Sequence, residues 1–173
     1  MKGNIKRERC LLILFPILSM LIVGALLLVY NHENNKVHHY YRSEFEEKSI
    51  AEARCDIEAI SEDEEGDCYI KGWFVLPGIT YDFYNYGNDN HSSSAYNYVN
   101  VCVVDKNDIY VLPTKLEERQ DVNELIGDGV DYKYSGFQAK VSSELSNLVE
   151  NKSIAFLVKD PDDKKTLYVQ ESK

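Results

Sequence analysis

The stretch CDIEAISEDEEGDCYIKGWFVLPG, residues 55–78, alternates apolar and polar side chains over its first five positions. An acidic turn then separates this segment from a longer apolar run, residues 68–76, which Pro77 and Gly78 close. Alternation with a period of two is typical of a β-strand that buries one face, and two such strands around a short polar turn form a hairpin. The stretch therefore predicts two paired strands.

Five further strands are predicted beyond this hairpin. Runs rich in Val, Ile, Tyr and Phe cover residues 98–104, 109–112, 132–141, 153–159 and 166–170. Before the third of these runs, residues 118–126 predict about two helical turns, which a Gly-Asp-Gly sequence ends. Short strands separated by turns are the pattern of an antiparallel β-sandwich, so we expect a mainly β fold with about seven strands.

The first 30 residues differ in composition from the rest. Residues 1–9 carry four basic residues against one acidic residue, and residues 10–30 carry no charge. Twenty-one helical residues span about 31 Å, close to the roughly 30 Å core of a bilayer. We expect residues 10–30 to be an uncleaved, single-pass transmembrane signal anchor in contact with membrane lipid. A cleaved signal peptide is the alternative.

The positive charges before the predicted membrane span set its orientation. They predict that residues 1–9 form a cytoplasmic tail and that the C-terminal domain is extracellular. Residues 31–54 are polar, with Tyr41 and Phe45 at helical spacing, and they predict a short helical stalk. The sandwich is then expected over residues 55–173.

The predicted outer part is strongly acidic. Of 19 basic and 29 acidic residues, four and one precede position 10, which leaves 15 and 28 beyond it and a net charge of −13. Such a surface repels phosphate backbones, so nucleic acid is excluded as a partner. The charge also keeps the domain soluble.

Cysteines and acidic residues offer no pattern for a metal. Cys55, Cys68 and Cys102 would face an oxidising compartment, where either three buried thiols or one disulfide and a free thiol are expected. No Cys-x-x-Cys spacing is present, which argues against structural zinc. The acidic cluster within residues 62–67 lacks the alternating ligands of a calcium loop. We expect neither a metal nor a cofactor.

One segment has the composition of a ligand site. The tyrosine-rich stretch, residues 79–98, places aromatic rings around a centre of Gly, Asn, Asp and Ser. Flat rings stack on the C–H faces of sugar rings, and amide groups bind hydroxyls. The candidate glycan-binding residues are Tyr81, Tyr84, Tyr86, Asn88, Asp89 and Tyr96. Alternatively, these tyrosines line the surface of a sheet, where Tyr is favoured.

Three short motifs occur in a familiar order. They are Ile70, Gly72 and Trp73; then Arg119, Asp121 and Val122; then Ser135, Gly136 and Phe137. In order and spacing they resemble an extracytoplasmic β-sandwich module of Gram-positive envelope membrane proteins, similar to domains found beside surface-polysaccharide glycosyltransferases. The third residue of the usual Gly-Trp-Ala is Phe here.

These motif residues have structural roles in our interpretation. We expect Trp73 and Phe137 to lie in the core, because large aromatic rings bury much area in a small domain. Arg119 is expected to pair with Asp121 or with backbone carbonyls, and Val122 to hold the crossover between sheets. Gly136, inside a predicted strand, indicates a bulge or a close backbone approach. A ligand-binding role for this corner is the alternative.

No catalytic constellation is recognisable in the sequence. Three of the four histidines lie in the predicted stalk, and His91 lies in a polar loop beside serines without a triad pattern. We therefore expect no enzyme activity. The sequence favours a membrane-anchored cell-envelope module that recognises glycan or supports polysaccharide assembly. The alternative is a bitopic subunit of a membrane protein complex, whose sandwich docks a protein partner.

Overall fold

The computed structural model describes residues 2–64, 67–79, 98–141, 146, 149, 153–159 and 164–169. The chain divides into two compact units, Met1–Lys36 and Val37–Lys173. The boundary lies well before the predicted start of the sandwich at residue 55, because the second unit already begins at Val37.

The first unit contains one long helix, α1, Lys2–Asn34, with Pro16 inside it. Between residues 15 and 30, where its side chains are described, the large apolar ones each expose more than half of their surface. Within the described part of the chain, no helix is both long and apolar enough to cross a membrane.

The described residues of the second unit are mainly β, as predicted, but they form ten strands rather than about seven. The strands are β1 His38–Tyr41, β2 Glu46–Ser49, β3 Arg54–Glu62, β4 Cys68–Val75, β5 Tyr98–Asp105, β6 Asp108–Val111, β7 Thr114–Glu117, β8 Gly136–Val141, β9 Ser153–Lys159 and β10 Lys165–Val169. A short helix, α2, covers Gln120–Ile126. All seven predicted strands are present, although the one predicted over residues 132–141 begins only at Gly136, and β1, β2 and β7 are additional.

The strands form two sheets. Sheet A has six strands in the order β1-β6-β5-β9-β10-β2, and sheet B has four in the order β3-β4-β8-β7. Every pairing is antiparallel except that of β10 with β2. The predicted hairpin of residues 55–76 is confirmed as β3 and β4, with a bulge in the register between Ile57 and Ala59.

The two sheets pack face to face through aromatic rings. Phe74 of sheet B stacks on Phe156 of sheet A with centroids 4.5 Å apart, and Phe137 meets the same ring edge-on at 5.4 Å. Trp73 and Phe137 are both buried, which confirms their expected place in the core. Position 72, next to Trp73 on β4, requires a glycine, because a Cβ there would sit only 2.0 Å from the carbonyl oxygen of Asp56.

The prediction that residues 31–54 form a helical stalk is wrong beyond residue 36. Residues 38–49, which we call the strap, contain β1 at one edge of sheet A and β2 at the other. A short connection between opposite edges of one sheet has to cross a face of that sheet. Tyr40 and Phe45 of the strap pack on a second apolar cluster, which comprises Cys102, Val104, Ile109, Val111, Ala155, Leu157, Leu167 and Val169.

The strap accounts for the burial of both faces of sheet A. Val101 and Val103 of β5 point into the core between the sheets, whereas Cys102 and Val104 belong to the cluster under the strap. Successive strand residues point to opposite faces, so the two sets separate by parity. The apolar residues of the strap, rather than a helical periodicity, explain why this segment is folded onto the sheet.

The three cysteines of this unit form no disulfide in the structure. Cys68 and Cys102 are buried, and Cys55 is half-buried. Burial raises the pKa of both the Cys102 and Cys55 thiols. These residues therefore act as small apolar side chains rather than as a disulfide, which was the alternative.

Candidate functional site

All six candidate glycan-binding residues lie outside the described part of the chain. They are Tyr81, Tyr84, Tyr86, Asn88, Asp89 and Tyr96. The structure does describe residues 78 and 79, which lead into the tyrosine-rich stretch, and the corner between β7 and β8, residues 118–135. The corner, which is the alternative ligand site, lies entirely within the described residues.

The corner is organised around α2. Its seven residues end at Ile126, and Gly127 caps the helix with a left-handed φ of 66° and an N–H that bonds to the carbonyl of Asn123 at 3.0 Å. Glycine is favoured here because a side chain would strain this conformation. Val122 is completely buried and joins the core. The prediction that it holds a crossover between the sheets is wrong, because β7 and β8 are paired neighbours in sheet B and the corner connects them within that sheet.

Arg119, immediately before α2, links two carboxylates. Its Nε and Nη2 donate to Asp121 at 2.8 and 2.7 Å, which confirms the predicted pair. Its Nη1 and Nη2 also donate to Glu58 on β3, both at 2.7 Å. The guanidinium therefore makes two bidentate pairs and ties the edge strand of sheet B to the corner.

Electrostatics follow from this arrangement. The two carboxylates raise the pKa of Arg119, mainly through their hydrogen bonds. The hydrogen bonds from Arg119 hold the pKa of Asp121 below its usual range. Arg119 and Asp121 therefore stay ionised at neutral pH, and Arg119 acts as a clamp rather than as a proton donor.

Gly136, the first residue of β8, lies beneath the aliphatic part of Arg119. A Cβ built on Gly136 would be 2.5 Å from Cγ of Arg119 and 2.9 Å from the carbonyl oxygen of Glu117. The predicted close approach at Gly136 is therefore confirmed. A glycine is required here for the arginine side chain to reach both carboxylates.

Tyr132 connects the corner to the tyrosine-rich stretch. Its side chain is completely buried, and its hydroxyl accepts a hydrogen bond from the Gly78 N–H at 2.8 Å and donates one to Asp128 at 2.5 Å. The bond from Tyr132 lowers the pKa of Asp128, while burial and this carboxylate raise the pKa of Tyr132. The chain is therefore fixed immediately before residue 80.

Asn123 completes the corner. Its side-chain oxygen accepts from the Tyr132 N–H at 2.6 Å, and its amide nitrogen donates to Asp131 at 3.1 Å. The sequence patterns do not indicate the roles of Glu58, Asn123, Asp128 and Tyr132. Only the Gly-Asp-Gly sequence around Asp128 gave a signal, and it indicated a turn rather than a partner for a tyrosine.

The corner supports a positioning role more than a chemical one. The polar side chains named above bond to one another or to backbone groups, and these contacts fix the loop between β7 and β8. Among the described residues, no group of three or more His, Cys, Asp or Glu side chains is placed to hold a metal ion.

No protein-family model, curated protein or solved structure matches this chain. The resemblance carried by the motifs around Trp73, Arg119 and Phe137 therefore stays a prediction.

Proposed function

We propose that the chain is a membrane-anchored, extracytoplasmic β-sandwich module of the cell envelope that recognises glycan without catalysing a reaction. The observation that carries the proposal is the bond between Tyr132 and Gly78, which attaches the start of the tyrosine-rich stretch to a rigid corner. Binding loops are commonly held in this way by a scaffold whose own residues are packed.

The chemistry of the stretch supports glycan as the ligand. Tyr81, Tyr84, Tyr86 and Tyr96 offer aromatic faces for the C–H surfaces of sugar rings, and Asn88 and Asp89 offer partners for hydroxyls. The domain carries a large excess of negative charge, which favours ligands without anionic groups. A polysaccharide built from uncharged sugars would present such a ligand many times along one chain.

Anchoring is supported by the first unit. Residues 10–30 carry no charge, basic residues precede them, and the apolar side chains of residues 15–30 are exposed on α1. Apolar surface of this extent is stable only when lipid or another protein covers it. The positive flank favours a cytoplasmic N-terminus and an extracellular C-terminal domain.

The test is binding of the full chain to purified envelope polysaccharides. The protein is kept in a detergent without a sugar headgroup, so that the detergent does not compete. Wild type is compared with Tyr84→Ala/Tyr86→Ala, and Tyr84→Phe/Tyr86→Phe is the matched control because it keeps both rings. We expect saturable binding that the alanine pair loses and the phenylalanine pair retains, since ring stacking supplies the contact.

Two results would contradict the proposal. Equal binding by wild type and the alanine pair would remove the tyrosine-rich stretch from the site. Binding to no polysaccharide would favour the alternative, a bitopic subunit whose sandwich docks a protein partner in a membrane complex.

A further inference from the structure

A compact group of polar and aromatic side chains lies on the β1–β6 edge of sheet A. His39 stands opposite Tyr110, and Tyr41 stands opposite Asp108, in the antiparallel register of the two strands. Residues that pair directly, or that lie two apart on one strand, share a face of the sheet. The four side chains therefore form a two-by-two patch, which we call the edge patch.

Contacts within the edge patch hold its members in place. His39 Nε2 lies 2.7 Å from Asp108 Oδ1, and the His39 ring meets the Tyr41 ring edge-on with centroids 5.3 Å apart. The Tyr110 ring lies 5.2 Å from that of His39 and is itself packed against the main core. Tyr110 lies on the same face of the sheet as the main core and joins the edge patch to it.

The front of the edge patch faces solvent. Tyr41 is 57% exposed, and the side chains of His39 and Asp108 are 43% and 40% exposed. Among the described strands, β1 is the edge of sheet A and none lies beyond it. An ordered, exposed tyrosine ring beside a carboxylate and an imidazole is therefore available to a ligand.

We propose that the edge patch is a second saccharide-binding site, and that it takes a pyranose unit that carries no anionic group. The ring of Tyr41 would stack on the C–H face of the sugar. Asp108 accepts bonds from hydroxyl or ammonium groups, because a carboxylate has lone pairs left after accepting one hydrogen bond. The His39 ring fixes the angle of the tyrosine and bounds the site on one side.

Charge around the edge patch selects against anions. Asp105 stands opposite Asp108 at the β5–β6 turn, and Glu44 accepts a hydrogen bond from the Tyr41 N–H. Lys106 lies in the same turn, whereas Arg42 is already paired with Glu47. Asp105, Asp108 and Glu44 outnumber Lys106, and in a domain of large negative charge they repel sulfated, phosphorylated or uronic sugars.

This inference rests on the proposed glycan recognition for its class of ligand, but its residues are separate from the tyrosine-rich stretch. Two sites on one chain would let a single polysaccharide be held at two points. Simultaneous contact of this kind raises overall affinity without any change in either site, provided that the polymer spans both.

The test uses the full chain and three hexasaccharides as probes: a neutral β-glucan, a chitosan oligomer with free amino groups, and an oligogalacturonate. Affinities are measured by calorimetry for wild type, Tyr41→Ala, Tyr41→Phe, Asp108→Asn and Tyr84→Ala/Tyr86→Ala. We expect the neutral or the amino probe to bind. Affinity should fall about tenfold or more in Tyr41→Ala, fall less in Tyr41→Phe and fall in Asp108→Asn, while melting temperatures stay close to wild type.

The variants separate this inference from the proposed function. Loss of affinity in Tyr41→Ala with none in Tyr84→Ala/Tyr86→Ala would support the edge patch and contradict the assignment to the tyrosine-rich stretch. The reverse pattern would overturn the edge patch alone. Preference for oligogalacturonate, or no binding of any probe, would also overturn it.

Discussion

At the scale of single residues, Arg119 is the centre of the corner. Its pair with Asp121 was predictable because the two residues are neighbours in the sequence, and the close approach at Gly136 was predictable from a glycine inside a strand. Its second partner, Glu58, lies 61 positions away and is brought near only by the packing of sheet B against the corner. No local pattern in the sequence indicates a contact of that kind.

The glycine beneath Arg119 gives a direct test of the corner. We expect Gly136→Ala to lower the free energy of unfolding by about 1–3 kcal/mol, because the new Cβ overlaps Arg119 and the backbone of Glu117. Gly24→Ala is the matched control, since a Cβ there meets nothing within 4 Å. Chemical denaturation measures both changes. Equal stability of Gly136→Ala and wild type would show that the clamp does not depend on this approach.

The Arg119 clamp also predicts a dependence on pH. Arg119 lowers the pKa of Asp121 in the folded chain. A carboxyl with a lowered folded pKa stabilises the fold above its unfolded pKa of about 3.9, and that contribution is lost as pH falls through the folded pKa. We therefore expect wild type to lose more stability than Arg119→Met below about pH 4.

Urea denaturation at a series of pH values measures this difference. Above about pH 5 the two curves should run parallel, because Asp121 is then ionised in both the folded and the unfolded chain. The lowered pKa of Asp128 contributes equally to both curves, since it is caused by Tyr132 and not by Arg119. Curves that stay parallel down to pH 2 would contradict the assigned role of Arg119.

At the scale of elements, the strands that the sequence predicted are those with long apolar or alternating runs. The three that it missed are four residues long, and β2 and β7 are rich in charge. Only two residues, Leu112 and Pro113, separate β6 from β7. The chain passes from sheet A to sheet B within this gap, which is too short to indicate a change of sheet in the sequence. The continuous apolar runs of β5 and β9 did carry a signal, because strands buried on both faces lose their alternation.

The strap is the element whose role differs most from the prediction. A solvated stalk would tolerate loss of its aromatic residues, whereas a strap would not. We expect Tyr40→Ala and Phe45→Ala each to lower the free energy of unfolding by about 1–2 kcal/mol, less than for a fully buried aromatic residue. Tyr41→Ala is the control, because this neighbouring ring is largely exposed. Thermal unfolding measures the stability of the three variants. Equal stability of all three would contradict the packing of the strap and favour a solvated stalk.

At the scale of the whole molecule, the chain joins an uncharged apolar segment to an acidic β domain. This division was readable from composition, because charge and hydropathy change abruptly near residue 30. Glycan binding was predicted from the residue types alone, and the six candidate residues lie outside the described ranges. The bond between Tyr132 and Gly78 joins the described corner to the start of that stretch.

The most direct test of the account is the binding of a fluorescent envelope polysaccharide to intact cells that produce the full chain. Anchoring, an outward-facing domain and glycan recognition must all hold for labelled polymer to bind at the surface. We predict saturable binding that is much weaker in Tyr84→Ala/Tyr86→Ala, where only the proposed edge patch remains, and that is lost after protease treatment of the intact cells. Binding that appears only after the cells are opened would contradict the outward orientation, and absence of binding in both conditions would contradict glycan recognition.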